Sequence, residues 1–589
     1  MNSTSRNALA GLCRERRPNE NVWTRFAVQI LIFALYPASL VAQTPAARVE
    51  QLLADLEFPG VTQTAIGVTR KGTPIPALIT ENDLDYATPK TRILLVGGLD
   101  GSSDSVQQTV AVLEWFHGDD DARGYSQRYA LSAVPVANPD GWALDVGPGN
   151  ASGGSPSRGY PPQGAAYNSP TDPEAAYLWR WIGMHAPDLV VDLRGGEQVA
   201  PGNDLVTQLA AASPSGVGAI PALRIQIAAD SEQAPLEFFK GIEQTAPRAP
   251  SPARRVIQSR LDRTPLEVVR QLAQHYGHKL DDVAYIPALA LVGRIRLGDL
   301  SGEPSHLADV ERIVAPYVSG DKPTLPENIS GSNLSGHLVF SELARVTGNR
   351  RYTALAQAAA DLGFDEQGNP LPAMPFHNEM SDAFFMGTPI LAATGQLTGQ
   401  KKYFAMAARH MKFMEKLCLR ADGIYRHSPL GEAAWGRGNG FPALGFALSL
   451  SALPADDPGR ADMLAAYRRH LEALLPHQDA GGMWHQVIDH PESYREFTAT
   501  AMITFAMLRG LREGWLERSR FEPAVKRAWD ALKTRIAPNG DLVDVCTGTG
   551  KQQTLRDYFD RAAILGPDDR GGAMALMVST EMAYWQNGN

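Results

Sequence analysis

The stretch SDAFFMGTP (Ser381–Pro389) places one carboxylate, Asp382, at the head of an apolar helical run, with only Glu379 near it in sequence. A carboxyl in apolar surroundings keeps its proton longer, as a general acid must near neutral pH. Further along, AAWGRGNGFPALG supplies Trp435, Arg437, Asn439 and Phe441, alternating with residues such as glycine that allow close approach of a ligand. A carboxylate, a guanidinium fork that matches a planar carboxylate, and two aromatic faces suit an anionic sugar. The structural alternatives are equally concrete. Asp is a common helix N-cap, Arg437 could lie in a surface turn, and Phe441 and Trp484 could be core aromatics.

Such residues need a frame, and the chain is long enough for several. It has 589 residues, 44% hydrophobic and 20% charged, with a formal charge of −9. Residues 1–42 carry five arginines against Glu15 and Glu20, so their removal would leave −12. That charge argues against nucleic acid as a partner, because phosphate contact needs a basic surface. Arginines up to Arg25, the apolar run Phe26–Leu40 and small residues around Ala42 read as an export signal over 1–42, which would make the protein periplasmic or secreted. An uncleaved anchor is the alternative; with the signal removed, no membrane association is expected. Cys13 lies in that segment, leaving Cys418 and Cys546, whose pairing the sequence does not decide.

Residues 44–240 alternate strand-like and helix-like patterns. RILLVGG (Arg92–Gly98), YALSAVPVANPDG (Tyr129–Gly141) and DLVVDLRGG (Asp188–Gly196) read as buried strands, with helices at Ser105–Phe116 and Pro173–His185 between them. This indicates an α/β layer. The Gly, Ser and Pro between Gly147 and Pro173 read as a long surface loop, and 241–256, around APRAPSPARR, as a linker.

From 257 to 589 nearly everything reads as helix. RVTGNRRYTALAQAA (Arg345–Ala359) is echoed by QLTGQKKYFAMAARHM (Gln396–Met411), with Thr347 and Thr398 at equivalent points, and more faintly from Gly510. A repeat of this length is one helical hairpin, which must stack on copies to bury its apolar face. Six would fit and could close into an (α/α)6 toroid; an open solenoid is the alternative. The fold class expected is therefore multidomain, an α/β domain followed by an all-α (α/α)6 toroid.

TGNRRY, SDAFFMGTPILAATGQLTGQKKY, GIYRHS, WGRGNGF and GMWHQVIDHPESYREFTATAM occur in this order across most of residues 330–510. In these pieces the chain resembles the unsaturated glycuronyl and rhamnogalacturonyl hydrolases, glycoside hydrolase families 88 and 105. The resemblance implies an (α/α)6 barrel needing no metal or other cofactor. Its partner would be an anionic oligosaccharide left by a polysaccharide lyase, carrying a 4,5-unsaturated uronic acid at its non-reducing end. It gives Asp382 the position of proton donor and sets His427 and Arg437 in the sugar site, either able to hold the uronate carboxylate. Trp435, Phe441 and Trp484 become candidates to stack on sugar rings, and His485 another site residue. The family's second aspartate, beside a glycine that opens a helix, is absent from NISGSNLSGHLVF (Asn328–Phe340), where Asn333 or His337 would take the place. Phe441 stands where a tryptophan is common. The rival readings are a glycan-binding protein without turnover and a divergent zinc peptidase.

The last rival comes from the N-terminal layer. VGGLDGSSDS, VPVANPDG and PDLVVDLRGG resemble a zinc carboxypeptidase domain at its metal-bearing strands. The metal residues differ: Asp100 stands for the His, Ser103 for the Glu and Arg194 for the final His. A permanently charged arginine repels a cation, so the expectation is a non-catalytic relative in which an Asp100–Arg194 ion pair replaces the metal. A shifted ligand, Asp104 or Glu197, is the alternative. The acid pairs Asp456–Asp457 and Asp568–Asp569 read as loops or caps, with Asp568–Arg570 able to brace a barrel mouth.

Overall fold

The three strand runs form the centre of a six-stranded sheet: β1 (Val61–Val68), β2 (Pro74–Thr80), β3 (Thr91–Val96), β4 (Tyr129–Val134), β5 (Leu189–Gly195) and β6 (Ala222–Ile227), ordered β1-β2-β4-β3-β5-β6. The computed structural model describes residues 43–163, 166–195, 204–245, 247 and 249–588. The export signal expected at 1–42 and the alternative ligand Glu197 lie outside them. β4, β3, β5 and β6 are parallel, and β4 and β5 are buried throughout, as parallel strands covered on both faces must be. Along β3 the side chains alternate. Ile93 and Leu95 join the helices Ser103–Gly118 and Ala234–Thr245 on one face. Leu94 and Val96 join the helix Pro173–His185 on the other.

Beyond the layer, helices alternate between an inner and an outer ring. The inner segments are Tyr285–Ser301, the broken pair Gly331–Gly336 and Leu338–Thr347, then Ala383–Thr398, Gly436–Ala452, Phe497–Arg512 and Asp569–Asn587. Each packs on the next and the last returns to the first, so the toroid is closed. Inner helices such as Gly436–Ala452 are buried nearly all round. Outer helices are amphipathic: Lys401–Cys418 buries Tyr403, Ala407, His410, Met414 and Cys418 at helical spacing. The repeat seen in the sequence is the inner-to-outer turn. Thr347 and Thr398 each bond back to the carbonyl four residues earlier at 2.7 Å, and Gly348 and Gly399 end the helices in the left-handed conformation.

Between the last outer helix, Arg518–Thr534, and the last inner one, an antiparallel pair is inserted, β7 (Leu542–Cys546) and β8 (Ala563–Gly566), with the short helix Leu555–Phe559 between the two strands.

Two stretches differ from expectation. Residues 147–172 hold no helix or regular strand among those described, yet they are not a surface loop: Tyr160 and Tyr167 are buried, and Tyr167 stacks on Tyr494 of the barrel at 4.6 Å. The stretch 241–256 does not behave as a flexible tether. It contains the end of the helix Ala234–Thr245 and the start of Pro252–Leu261. Ser251 caps the second helix, and buried Arg254 pairs with Asp188 at 2.5 Å. Proline and alanine read as linker, but Ser-Pro is also a helix start. Residues Thr44–Asn589 form one unit. Its layer and barrel share an apolar cluster in which Ile66, Val68 and Tyr177 meet Trp435, Tyr494, Tyr558 and Phe559.

Candidate active site

Asp382 lies at the N-terminal end of the inner helix Ala383–Thr398, with αR backbone angles and no side-chain cap bond. The capping alternative is therefore not realised. Its side chain is 13% exposed, and Oδ1 is 3.3 Å from Nε2 of the fully buried His427. The two atoms touch without hydrogen-bond alignment, and both lack another partner. Apo geometry of this kind is common where a catalytic hydrogen bond tightens only on binding. The backbone fixes the approach: Ser381 N–H donates to the His427 carbonyl at 2.9 Å. On the far side of the ring, His427 Nδ1 is 2.9 Å from Tyr558 Oη, which already accepts the Gln552 N–H at 3.3 Å. The phenol proton is thus free for Nδ1, an arrangement that favours the His427 proton on Nε2, facing Asp382. Burial, eased by the Gln552 N–H and reinforced by the charge of Asp382, pushes Tyr558 up to about 12, so it is a neutral donor at physiological pH.

Trp435, Arg437 and Phe441 gather here as expected, but as buried structure. Trp435 packs on His427 at 4.4 Å, and Arg437 lies over Trp435 at 4.7 Å. Arg437 donates to the carbonyls of Cys546 at 2.9 Å and Thr547 at 2.7 Å. Burial opposes its charge, but Cys546, Tyr285, Glu496 and Asp382 outweigh that and hold its pKa above the ordinary value. It is not in a surface turn, and it is not free to clamp a ligand. Phe441 stacks on Phe385 at 5.6 Å and meets Tyr285 edge-on, so its face is covered.

Five other expected residues are hydrogen-bonded to barrel backbone. Asn439 is fully buried: its amide accepts from Tyr425 N–H and donates to the Tyr425 and Trp435 carbonyls. The Trp484 indole donates to the Leu474 carbonyl within the barrel wall. His485 bonds the Ser493 carbonyl at 2.7 Å and neighbours Asp479 and Arg495, and burial lowers it to about 4. Asn333 closes a capping box with Ser330 and donates to the Val283 carbonyl. His337 sits at the break between two inner helical segments, Nδ1 on the Asn333 carbonyl, and burial again lowers it to about 4.

Tyr285 and Tyr558 join the site without having been expected there. Tyr285 opens an inner helix, and its environment includes Arg437, Arg570 and Asp382. Arg570 braces the mouth as expected, 3.3 Å from the Cys546 carbonyl and 3.6 Å from Asp568, which caps the last inner helix. No local pattern marks Tyr285 or Tyr558, because each joins the site only through the ring of helices. Across the same end, Lys551 of the insert pairs with Glu379 at 3.5 Å.

In the α/β layer, Arg194 Nη1 lies 3.3 Å from Asp100 Oδ2, the ion pair expected in place of a metal. Arg194 also donates to Asp192 at 2.7 Å, and Asp192 takes Arg224 at 3.0 Å. Among the described residues no group of three or more His, Cys, Asp or Glu is placed to hold a metal ion, and no helix is long and apolar enough to cross a membrane. Cys418 and Cys546 are both free and buried.

Known proteins resemble part of the chain. An unsaturated 3S-rhamnoglycuronyl hydrolase of Formosa agariphila is 30% identical over 172 residues, 26% of this chain and 45% of that protein. One of an Alteromonas species is 28% identical over 217 residues, 35% of this chain and 51% of that protein. The chain thus spans about half the length of these curated relatives. A crystal structure described as a possible member of the GH105 family, from Klebsiella pneumoniae, is 21% identical, covers 56% of this chain and 93% of its own, and gives a TM-score of 0.47. The family model for Glycosyl Hydrolase Family 88 matches residues 255–585, more than half of the sequence, and the chain belongs to that family.

Proposed function

We propose that the protein is an exported hydrolase that removes a 4,5-unsaturated uronic acid from the non-reducing end of lyase-generated oligosaccharides of pectin or rhamnogalacturonan type. The observation that carries this reading is Asp382 itself, a part-exposed carboxyl at the head of an inner helix with Oδ1 against His427. The C4=C5 bond of such a sugar is an enol ether. Asp382 gives its proton to C4, the π electrons form the new C–H bond, and positive charge develops at C5, shared with the ring oxygen. Water adds at C5 and returns a proton to the Asp382 carboxylate. The hemiketal opens and releases the neighbouring sugar. One carboxyl suffices, whereas ordinary glycosidases set two across the scissile bond.

The uronate carboxylate falls to Arg570 on this reading. Its side chain is 17% exposed, against 2% for the residue Arg437, and Arg437's two Nη groups already serve backbone carbonyls. For the α/β layer we favour a non-catalytic relative of zinc carboxypeptidases, supported by the Asp100–Arg194 pair where the resemblance puts metal ligands.

The test is a panel of lyase-digested polysaccharides, namely pectin backbone, ulvan, alginate and glycosaminoglycans, followed by ultraviolet absorbance of the conjugated enol. Loss of absorbance on at least one digest is expected. Persistence on all, with binding seen by calorimetry, would favour a glycan-binding protein instead.

A further inference from the structure

The helix Leu555–Phe559 is held from two sides. From the α/β layer, just past β1, the Thr69 carbonyl accepts Arg556 Nη1 at 2.7 Å, and Arg70 pairs with Asp560 at 2.7 Å. Asp560 also pairs with Arg556 at 2.7 Å, so a four-residue clasp joins the layer to the insert. From the barrel, Gln486 donates to the Tyr558 carbonyl at 3.2 Å, and the Tyr558 hydroxyl meets His427. Beneath the clasp, Tyr558 and Phe559 share their apolar cluster with Ile66, Val68 and Tyr177 of the layer. The packing there is close: a Cβ at Gly67 would fall 2.2 Å from the Tyr177 ring.

We propose that the α/β layer is a working part of the barrel's active centre, setting the Leu555–Phe559 helix so that Tyr558 fixes His427 and His427 orients the Asp382 carboxyl. The proposal rests on the reading of Asp382 as proton donor. Tyr558, Arg70 and Asp560 are positioning residues, none of them in contact with the reacting atoms. With Oδ1 buried against His427, Oδ2 is the oxygen left to face a substrate. A ring free to turn would lose that selection, and small misplacements of a catalytic group cost large factors in rate. The ionisable groups around Asp382 include His427, Tyr558, Tyr285, Arg437 and Cys418, with Arg570 beside Tyr285, and Glu379 and its partner Lys551 outside them. Of these, only Tyr558 belongs to the segment clasped by the layer.

The test uses the full chain and a lyase-made unsaturated disaccharide. Tyr558→Phe should lower kcat about tenfold or more with KM nearly unchanged. It should also change the pH profile of kcat, because the ring that the phenol orients lies against the Asp382 carboxyl at 3.3 Å. Asp560→Ala should change the profile in the same way, and Asp560→Glu should restore it, without any change to the buried core. Arg128→Ala, which removes an exposed ion pair with Glu243 elsewhere on the layer, should leave the profile alone. An active wild type whose profile is unmoved by Tyr558→Phe and Asp560→Ala overturns this proposal only. A wild type inactive on every unsaturated uronide overturns the parent reading and this one with it.

Discussion

Asp382 is surrounded by side chains that are already engaged. Arg437 serves two carbonyls, Phe441 and Trp435 are covered, and His427 is held by Tyr558. On the proposed function, what remains for an incoming uronate is Asp382 itself and the part-exposed Arg570 beside Tyr285. Arg570→Met should therefore raise KM by about ten- to a hundredfold, the worth of one charge-assisted hydrogen bond, with a smaller effect on kcat, by steady-state absorbance assay. The place of Asp382 was legible because its helix-head position and apolar run are local. The roles of Asn439 and Trp484 were not: a polar or aromatic residue at a helix start looks the same whether it faces a ligand or a neighbouring carbonyl. Those carbonyls, on Tyr425 and Leu474, come from other turns of the barrel.

At the scale of elements, the Thr-Gly turn explains why the repeat could be read: side-chain back-bonding and a left-handed glycine need only consecutive residues. The opposite end of the toroid could not be read. There Glu581, buried on the last inner helix, is gripped by Arg509 through two bonds of 2.7 Å, and by Arg296 and Arg512. Burial would raise its pKa, but the three arginines outweigh that and hold it far below the usual carboxylate range. Glu581→Gln leaves buried guanidinium groups without a counter-charge. It should destabilise the barrel by about 3–5 kcal/mol, read by denaturant unfolding, although the site lies at the other end. His410 shows the same dependence on distant partners. It accepts the Met374 N–H at Nδ1 and meets the Ala383 carbonyl at Nε2, which fixes the neutral ring and pins the first turn after Asp382.

For the whole molecule, alternation of strands and helices gave the layer, and the hairpin repeat gave the toroid. The shared core between them was hidden, since its contacts, Arg70 with Asp560 and Tyr167 with Tyr494, join opposite ends of the chain. Both parts also carry one pH liability. Burial lowers His337, His410, His470 and His485 to about 4, and His117 of the layer likewise, from an ordinary value of 6.5. Between those values the unfolded chain binds more protons than the folded one, so stability is full above about pH 6.5 and falls as pH drops toward 4. Melting temperature measured across that window should decline steadily with acidification. A flat profile would mean that these rings are protonated in place. The most direct measurement is the enol absorbance of a turned-over digest with Asp382→Asn, paired with calorimetry on the same variant. Binding should persist while the absorbance decays at least about a hundredfold more slowly, the contribution expected of a general acid. Decay at the wild-type rate would contradict the assignment of Asp382 as proton donor.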